Sequence, residues 1–226
     1  MIAIIGAMDI EVQALCERMT DIKVSSKHGV TFYEGKLSDK NVVVTLCGIG
    51  MCSAAISTTI LLENYDITGV VNFGTAGGLK DHLEVLDVIV GENVANYEVD
   101  VPGWDNNDFD KKLIIFKSDE RFISLMKEVI SDDARVFVGN IASGNTFVCK
   151  DEHIKRILDK YPETLCAEME GASIAQVCTR YEIPFIVIRS LSDIAIKEGN
   201  EITFDEYAQK ASKRCALWCE KFVSLV

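Results

Sequence analysis

Two glutamates stand two residues apart in the run Cys166-Ala167-Glu168-Met169-Glu170-Gly171-Ala172-Ser173, where an apolar segment gives way to an amphipathic helix. Like charges this close repel each other and are costly to take out of water. A fold alone gains nothing from that placement, whereas a site that must grip hydroxyl groups does. Two further carboxylates, Glu11 and Asp193, also stand where an apolar strand or turn ends, and Arg189 shares an apolar run with Asp193. These groups would form a polar cluster at one edge of a sheet, able to do acid–base chemistry on a polyhydroxylated substrate. On charge alone, Glu11 reads more simply as a surface residue that, with Asp9, complements a helix dipole.

Other chemistries find little support. No serine or cysteine sits in a nucleophile elbow, and no His/Asp/Glu set has metal-ligand spacing. His28, His82 and His153 lie in polar contexts and read as surface residues. The eight cysteines contain no Cys-x-x-Cys pair and lie mostly among apolar neighbours, so they read as small buried hydrophobes in a reducing cytoplasm. A net charge of −12 argues against nucleic-acid or membrane-surface partners, which need clustered Lys and Arg. No apolar run approaches a membrane span, and no basic stretch precedes the short apolar start, so a signal peptide is not expected.

The elements that must position these residues alternate between strand and helix. An apolar run over 2–6 feeds a helix over 8–19; strands follow at 29–37 and 41–46, with 38–40 as their turn. Cys47-Gly48-Ile49-Gly50 opens a helix to about 64. It offers a weak dinucleotide-type fingerprint that lacks the third glycine and the later acid, and a plain strand–helix turn explains it equally well. A strand over 68–73 ends in Gly74-Thr75-Ala76-Gly77-Gly78, where something approaches the backbone closely, either a ligand or a neighbouring helix. Further strands are expected at 84–97, 135–141, 164–168 and 183–191. Helices are expected at 118–130 (capped by Ser118), 150–160, 171–181 and 204–225, and a polar loop with Pro102 and Trp104 at 100–112. At 226 residues with no repeat or composition shift, the chain is expected to be a single α/β domain spanning 1–226.

Taken in order, Ile4-Ile5-Gly6-Ala7-Met8 with Glu11, Gly48-Ile49-Gly50, Gly74-Thr75-Ala76-Gly77-Gly78-Leu79, Ser143-Gly144, Glu168-Met169-Glu170, Pro184-Phe185, Arg189, Ser192-Asp193 and Phe204-Asp205-Glu206 resemble the 5'-methylthioadenosine/S-adenosylhomocysteine nucleosidase branch of the purine and uridine nucleoside phosphorylase superfamily. The resemblance covers nearly the whole chain. It implies a mixed, partly barrel-like central sheet flanked by helices, a homodimer, and hydrolysis of an N-ribosidic bond without metal or cofactor.

The same resemblance implies the roles. Asp193, held by Ser192, would protonate adenine N7, which requires a raised pKa, and Glu11 would activate the attacking water. Glu170 would hold the ribose hydroxyls, Met169 would pack on the sugar, and Arg189 would steady the water and Glu170, with Glu168 as its supporting charge. Phe147 would stack on adenine, the Val148 backbone would read its edge, and Ala76 and Gly77 would lie beneath it. Ile49 and Phe204 would line the pocket for the 5'-thio group. Asn145, Glu98-Val99 and Ile196 depart from the family pattern, which more often has Asp, His-Asp and Asp there. Three alternatives stay open: a phosphorylase of the same superfamily, a nucleoside-binding protein without turnover, and a dinucleotide-dependent oxidoreductase.

Overall fold

A computed structural model describes residues 1–99, 115–196 and 200–226, the side chains of 200–206 excepted. The polar loop with Pro102 and Trp104, and the Phe204 side chain, lie outside the described residues. The elements run β1 (Ile2–Gly6), α1 (Asp9–Cys16), β2 (Thr20–Lys27), β3 (Val30–Leu37), β4 (Lys40–Leu46), α2 (Met51–Asn64), β5 (Gly69–Gly78), β6 (Val88–Asn96), β7 (Ile115–Lys117), α3 (Glu120–Ser131), β8 (Val136–Ser143), α4 (Asp151–Lys160), β9 (Thr164–Glu168), α5 (Gly171–Arg180), β10 (Phe185–Ile194) and α6 (Asn200–Leu225).

Among the described residues the strands form one continuous sheet in the order β10-β6-β8-β9-β5-β1-β4-β3-β2, with β7 beside β6. Because β10 also pairs with β5, the strands β5, β10, β6, β8 and β9 close into a barrel, and β1 to β4 extend from it. The parallel strands β1, β5 and β10 are buried along almost their whole length, as near-continuous runs of Val, Ile and Phe predict. One layer of helices, α2 packed on α5, covers one side; α6 lies across β10 and β5 on the other and packs against α1 and α3. Phe122 and Phe222 meet edge-on in that second layer at 5.1 Å.

Several boundaries differ from the sequence reading for identifiable reasons. The helix expected over 8–19 ends at Cys16, and the edge strand β2 takes up residues the sequence reading had not assigned to a strand. That strand is exposed and mostly polar, and its brief alternation of Ile22 and Val24 with polar neighbours is too short to stand out. Both hairpins of the extension use two-residue loops with positive φ, His28-Gly29 and Ser38-Asp39. This is the turn whose twist matches the flanking strands, and it leaves Lys40 in β4. The cap of α3 is Asp119, whose side chain accepts from Phe122 N at 3.0 Å, rather than Ser118. The short strand β7 was not foreseen, and α6 begins at Asn200 rather than 204.

The glycine-rich segment after Phe73 is strand, not loop. β5 continues to Gly78 because β10 stays paired with it through Thr75, Ala76, Gly77 and Gly78. The pairing slips between Leu191 and Asp193. In a regular strand, neighbouring side chains point to opposite faces; a bulge re-aims one of them. Ser192 and Asp193, although consecutive, therefore open into the same cavity.

Candidate active site

A cavity of about 350 Å3 opens at the carboxyl ends of β1, β5 and β10, where ligands of open α/β sheets bind. Glu11, Glu168, Glu170, Asp193, Arg189 and Ser192 all line it. So do Ile49, Ala76, Gly77, Phe147, Val148 and Met169. Of the residues singled out from the sequence, only Phe204 is left unplaced. Ala7, Met8, Phe73, Gly74, Thr75 and Thr146 also line the cavity and had not been singled out as site residues. Ile49 and Phe147, two large apolar side chains of the lining, are 62% and 41% exposed.

Glu11 is not the surface residue its charge suggested; it is 1% exposed. Its Oε2 accepts from the backbone N–H of Ala7 (2.8 Å) and Met8 (3.1 Å), and its Oε1 accepts from Thr75 (3.3 Å). The first two donors belong to the turn between β1 and α1. Burial pushes its pKa up, against the opposing pull of Arg189 and these three N–H groups. Two glycines make room for it. A Cβ on Gly6 would lie 3.2 Å from the Glu11 Cβ, and one on Gly74 only 2.8 Å from its Oε1.

Asp193 stands further along the same edge. Ser192 Oγ donates to its Oδ1 at 2.9 Å, while a Cβ on Gly77 would lie 3.0 Å from its Oδ2. Gly74 and Gly77 are thus the points where β5 lets the two acids close in.

The pair that opened the sequence reading is divided by the structure. Glu168, the last residue of β9, forms a buried ion pair with Arg189 and accepts from Ser143 Oγ, Glu170 N (3.0 Å) and Gly171 N (2.8 Å). Asn72 Oδ1 accepts from the same Arg189 nitrogen at 2.6 Å. Burial lowers the Arg189 pKa, but Glu168 first, then Glu170 and Glu11, more than reverse this, so it stays above its usual value. Asn72 had no distinguishing sequence signal, since an Asn inside an apolar strand marks no particular chemistry, and Ser143 was marked only as part of the Ser143-Gly144 motif, with no role attached.

Glu170 has a different setting. It follows the end of β9, and its Oε1 accepts from Gly50 N at 2.8 Å. Burial, and then the charge on Glu168, push its pKa up to about 7. Gly50 caps α2 with φ of 95°, a conformation that favours glycine. The next donor, Met51 N, goes to Asn145 Oδ1 at 3.0 Å. The N–H groups that a dinucleotide phosphate would need are therefore turned onto the protein's own side chains, and the oxidoreductase reading loses its motif.

The phosphorylase superfamily model matches residues 1–224 of the chain. The chain belongs to that superfamily. Within it, the chain is 39% identical over 218 residues to a 5'-methylthioadenosine/S-adenosylhomocysteine nucleosidase of Oceanobacillus iheyensis, covering 95% of each sequence. The structure matches that of a nucleosidase of the same name from Neisseria meningitidis in complex with methylthio-immucillin-A, with a TM-score of 0.92, 34% identity and coverage of 100% and 99%. It also matches one from Colwellia psychrerythraea in complex with adenine, with a TM-score of 0.92, 36% identity and coverage of 99% and 94%. These relatives put the chain in the nucleosidase branch.

Within the superfamily, the charge of the cavity discriminates between two nucleophiles. Among the described residues that line it, four are carboxylates and Arg189 is the single cation, already paired with Glu168. A phosphate would enter a field of its own sign with no unpaired cation to receive it. A water molecule next to a buried carboxylate faces no such penalty.

Proposed function

We propose that the chain hydrolyses the N-ribosidic bond of 5'-methylthioadenosine and S-adenosylhomocysteine and releases adenine. The observation that carries this reading is the buried Glu11, fixed by three backbone donors and facing a cavity whose one arginine is already paired. The nucleosidase names of its relatives support the substrate class.

In this reading the C1'–N9 bond breaks with its electrons going to adenine, and Asp193 gives a proton to N7 so that the base departs neutral. Ser192 orients the carboxyl by donating to Oδ1. The oxocarbenium-like sugar is attacked at C1' by a water whose proton goes to Glu11. A carboxylate whose pKa is raised by burial is a stronger base, which suits it to this step. Glu170 accepts hydrogen bonds from the ribose hydroxyls and Met169 packs on the sugar. Phe147 stacks on adenine, the Val148 backbone reads its edge, and Ala76 and Gly77 lie beneath. Arg189 acts through its charge on Glu11 and Glu170 while bonded to Glu168. Ile49 and Phe204 would flank the 5'-thio group.

A homodimer fits the exposed apolar side chains Ile49 and Phe147, which line the cavity, and Ile56 on α2. A reducing cytoplasm suits the eight free cysteines, five of them buried. Adenine release assayed with and without phosphate tests the reading. Full activity in phosphate-free buffer is expected, and absolute dependence on phosphate would replace hydrolysis with phosphorolysis.

A further inference from the structure

Two positions where the sequence departs from the family pattern, Glu98 and Asn145, meet in the structure. Asn145 Nδ2 donates to Glu98 Oε2 at 3.0 Å, and Thr146 Oγ1 lies 3.5 Å from Glu98 Oε1. On its other side, Asn145 Oδ1 accepts from Met51 N at 3.0 Å, next to the Gly50 N–H that reaches Glu170. A Cβ on Gly50 would lie 3.2 Å from that same Oδ1, so amide and turn are in close contact.

This geometry allows one amide orientation. Turned over, Asn145 would set its NH2 against the Met51 N–H and its oxygen against the Glu98 carboxylate. A carboxylate at 145 would still accept from Met51 but would repel Glu98. An apolar side chain would do neither.

We infer that Asn145 is a positioning residue for sugar recognition: clasped by Glu98, it fixes the Gly50–Met51 turn so that the Gly50 N–H holds the Glu170 carboxylate toward the ribose. The inference rests on the reading of Glu170 as the ribose ligand. It also links the sugar side of the cavity to its base side, because Thr146, Phe147 and Val148 follow Asn145 directly along the cavity wall.

The test is calorimetric and needs no turnover. The ligands are the 7-deaza analogue of 5'-methylthioadenosine, which has no N7 to protonate, and its 2',3'-dideoxy counterpart. Wild-type protein is expected to prefer the hydroxylated ligand. N145D is expected to lose about tenfold of that preference, the scale of one hydrogen bond to a charged group, with little change toward the dideoxy ligand. E98Q/N145D is expected to recover most of it, since the amide at 98 can donate to the carboxylate at 145. An N145D protein that keeps the wild-type preference, or losses in the two single variants that simply multiply in the double, would overturn the clasp. Equal binding of both ligands by the wild type would instead overturn the role of Glu170, and the clasp with it.

Discussion

Arg189 is bonded to Glu168 and not to its neighbour Glu170, although both carboxylates line the same cavity. Glu168 also gathers Ser143 Oγ and the N–H groups of Glu170 and Gly171, so it organises the turn that presents Glu170. Removing one partner of a buried pair leaves the other charge uncompensated, at a cost of about 3–5 kcal/mol. E168A is therefore expected to melt roughly 10 °C below wild type in a calorimetric scan. A melting point within a degree or two of wild type would mean the pair contributes little.

Gly74 leads to a kinetic rather than a structural prediction. The atom its Cβ would strike, 2.8 Å away, is the end of the Glu11 side chain, which can swing aside without unfolding anything. G74A should thus fold and bind an adenosine-type inhibitor, but kcat should fall about 100-fold, since a reacting group displaced by an ångström loses its alignment. Steady-state kinetics beside a melting curve separate the two effects; a large fall in melting temperature with kcat preserved would contradict the placement of Glu11.

For Glu170, the pKa of about 7 gives a pH dependence in two observables. The ionised form is the better acceptor for hydroxyl groups, so KM for 5'-methylthioadenosine should fall as pH rises from about 6 to about 8. Stability should move the other way. Between about 4.5, the ordinary value, and about 7, the folded protein keeps a proton that the unfolded chain has released. Rising pH then costs the wild type stability that E170Q does not lose. Melting curves of both proteins at about pH 5 and about pH 8 should show E170Q gaining on the wild type. A constant difference would show that Glu170 titrates normally.

The alternation of strands and helices, and the apolar runs of β1, β5 and β10, were legible because burial on both faces leaves a continuous signature. The site was legible where carboxylates interrupt such runs, as at Asp193 and Glu170. On charge alone Glu11 read as a surface residue, because its burial depends on Gly6 and Gly74, which come together only once β1 and β5 pair. The strand read over 68–73 extends to Gly78, which was missed because glycines carry no strand signal, while the pairing that keeps it extended comes from β10, over a hundred residues later. The pairing of Glu168 with Arg189 was anticipated; the bonds that Asn72, Ser143 and Gly50 make to this cluster were not. Nothing in their residue types announces a bond to a distant carboxylate.

In the proposed mechanism Glu11 and Asp193 act on opposite sides of one bond, with water as the nucleophile. The most direct measurement is adenine release from 5'-methylthioadenosine in phosphate-free buffer by wild type, E11Q and D193N, each paired with the affinity for methylthio-immucillin-A. Loss of a positioned acid or base costs about 10²–10⁴-fold, so each variant should release adenine at least about 100-fold more slowly while still binding the inhibitor. Release by either variant at the wild-type rate would remove that residue from the mechanism.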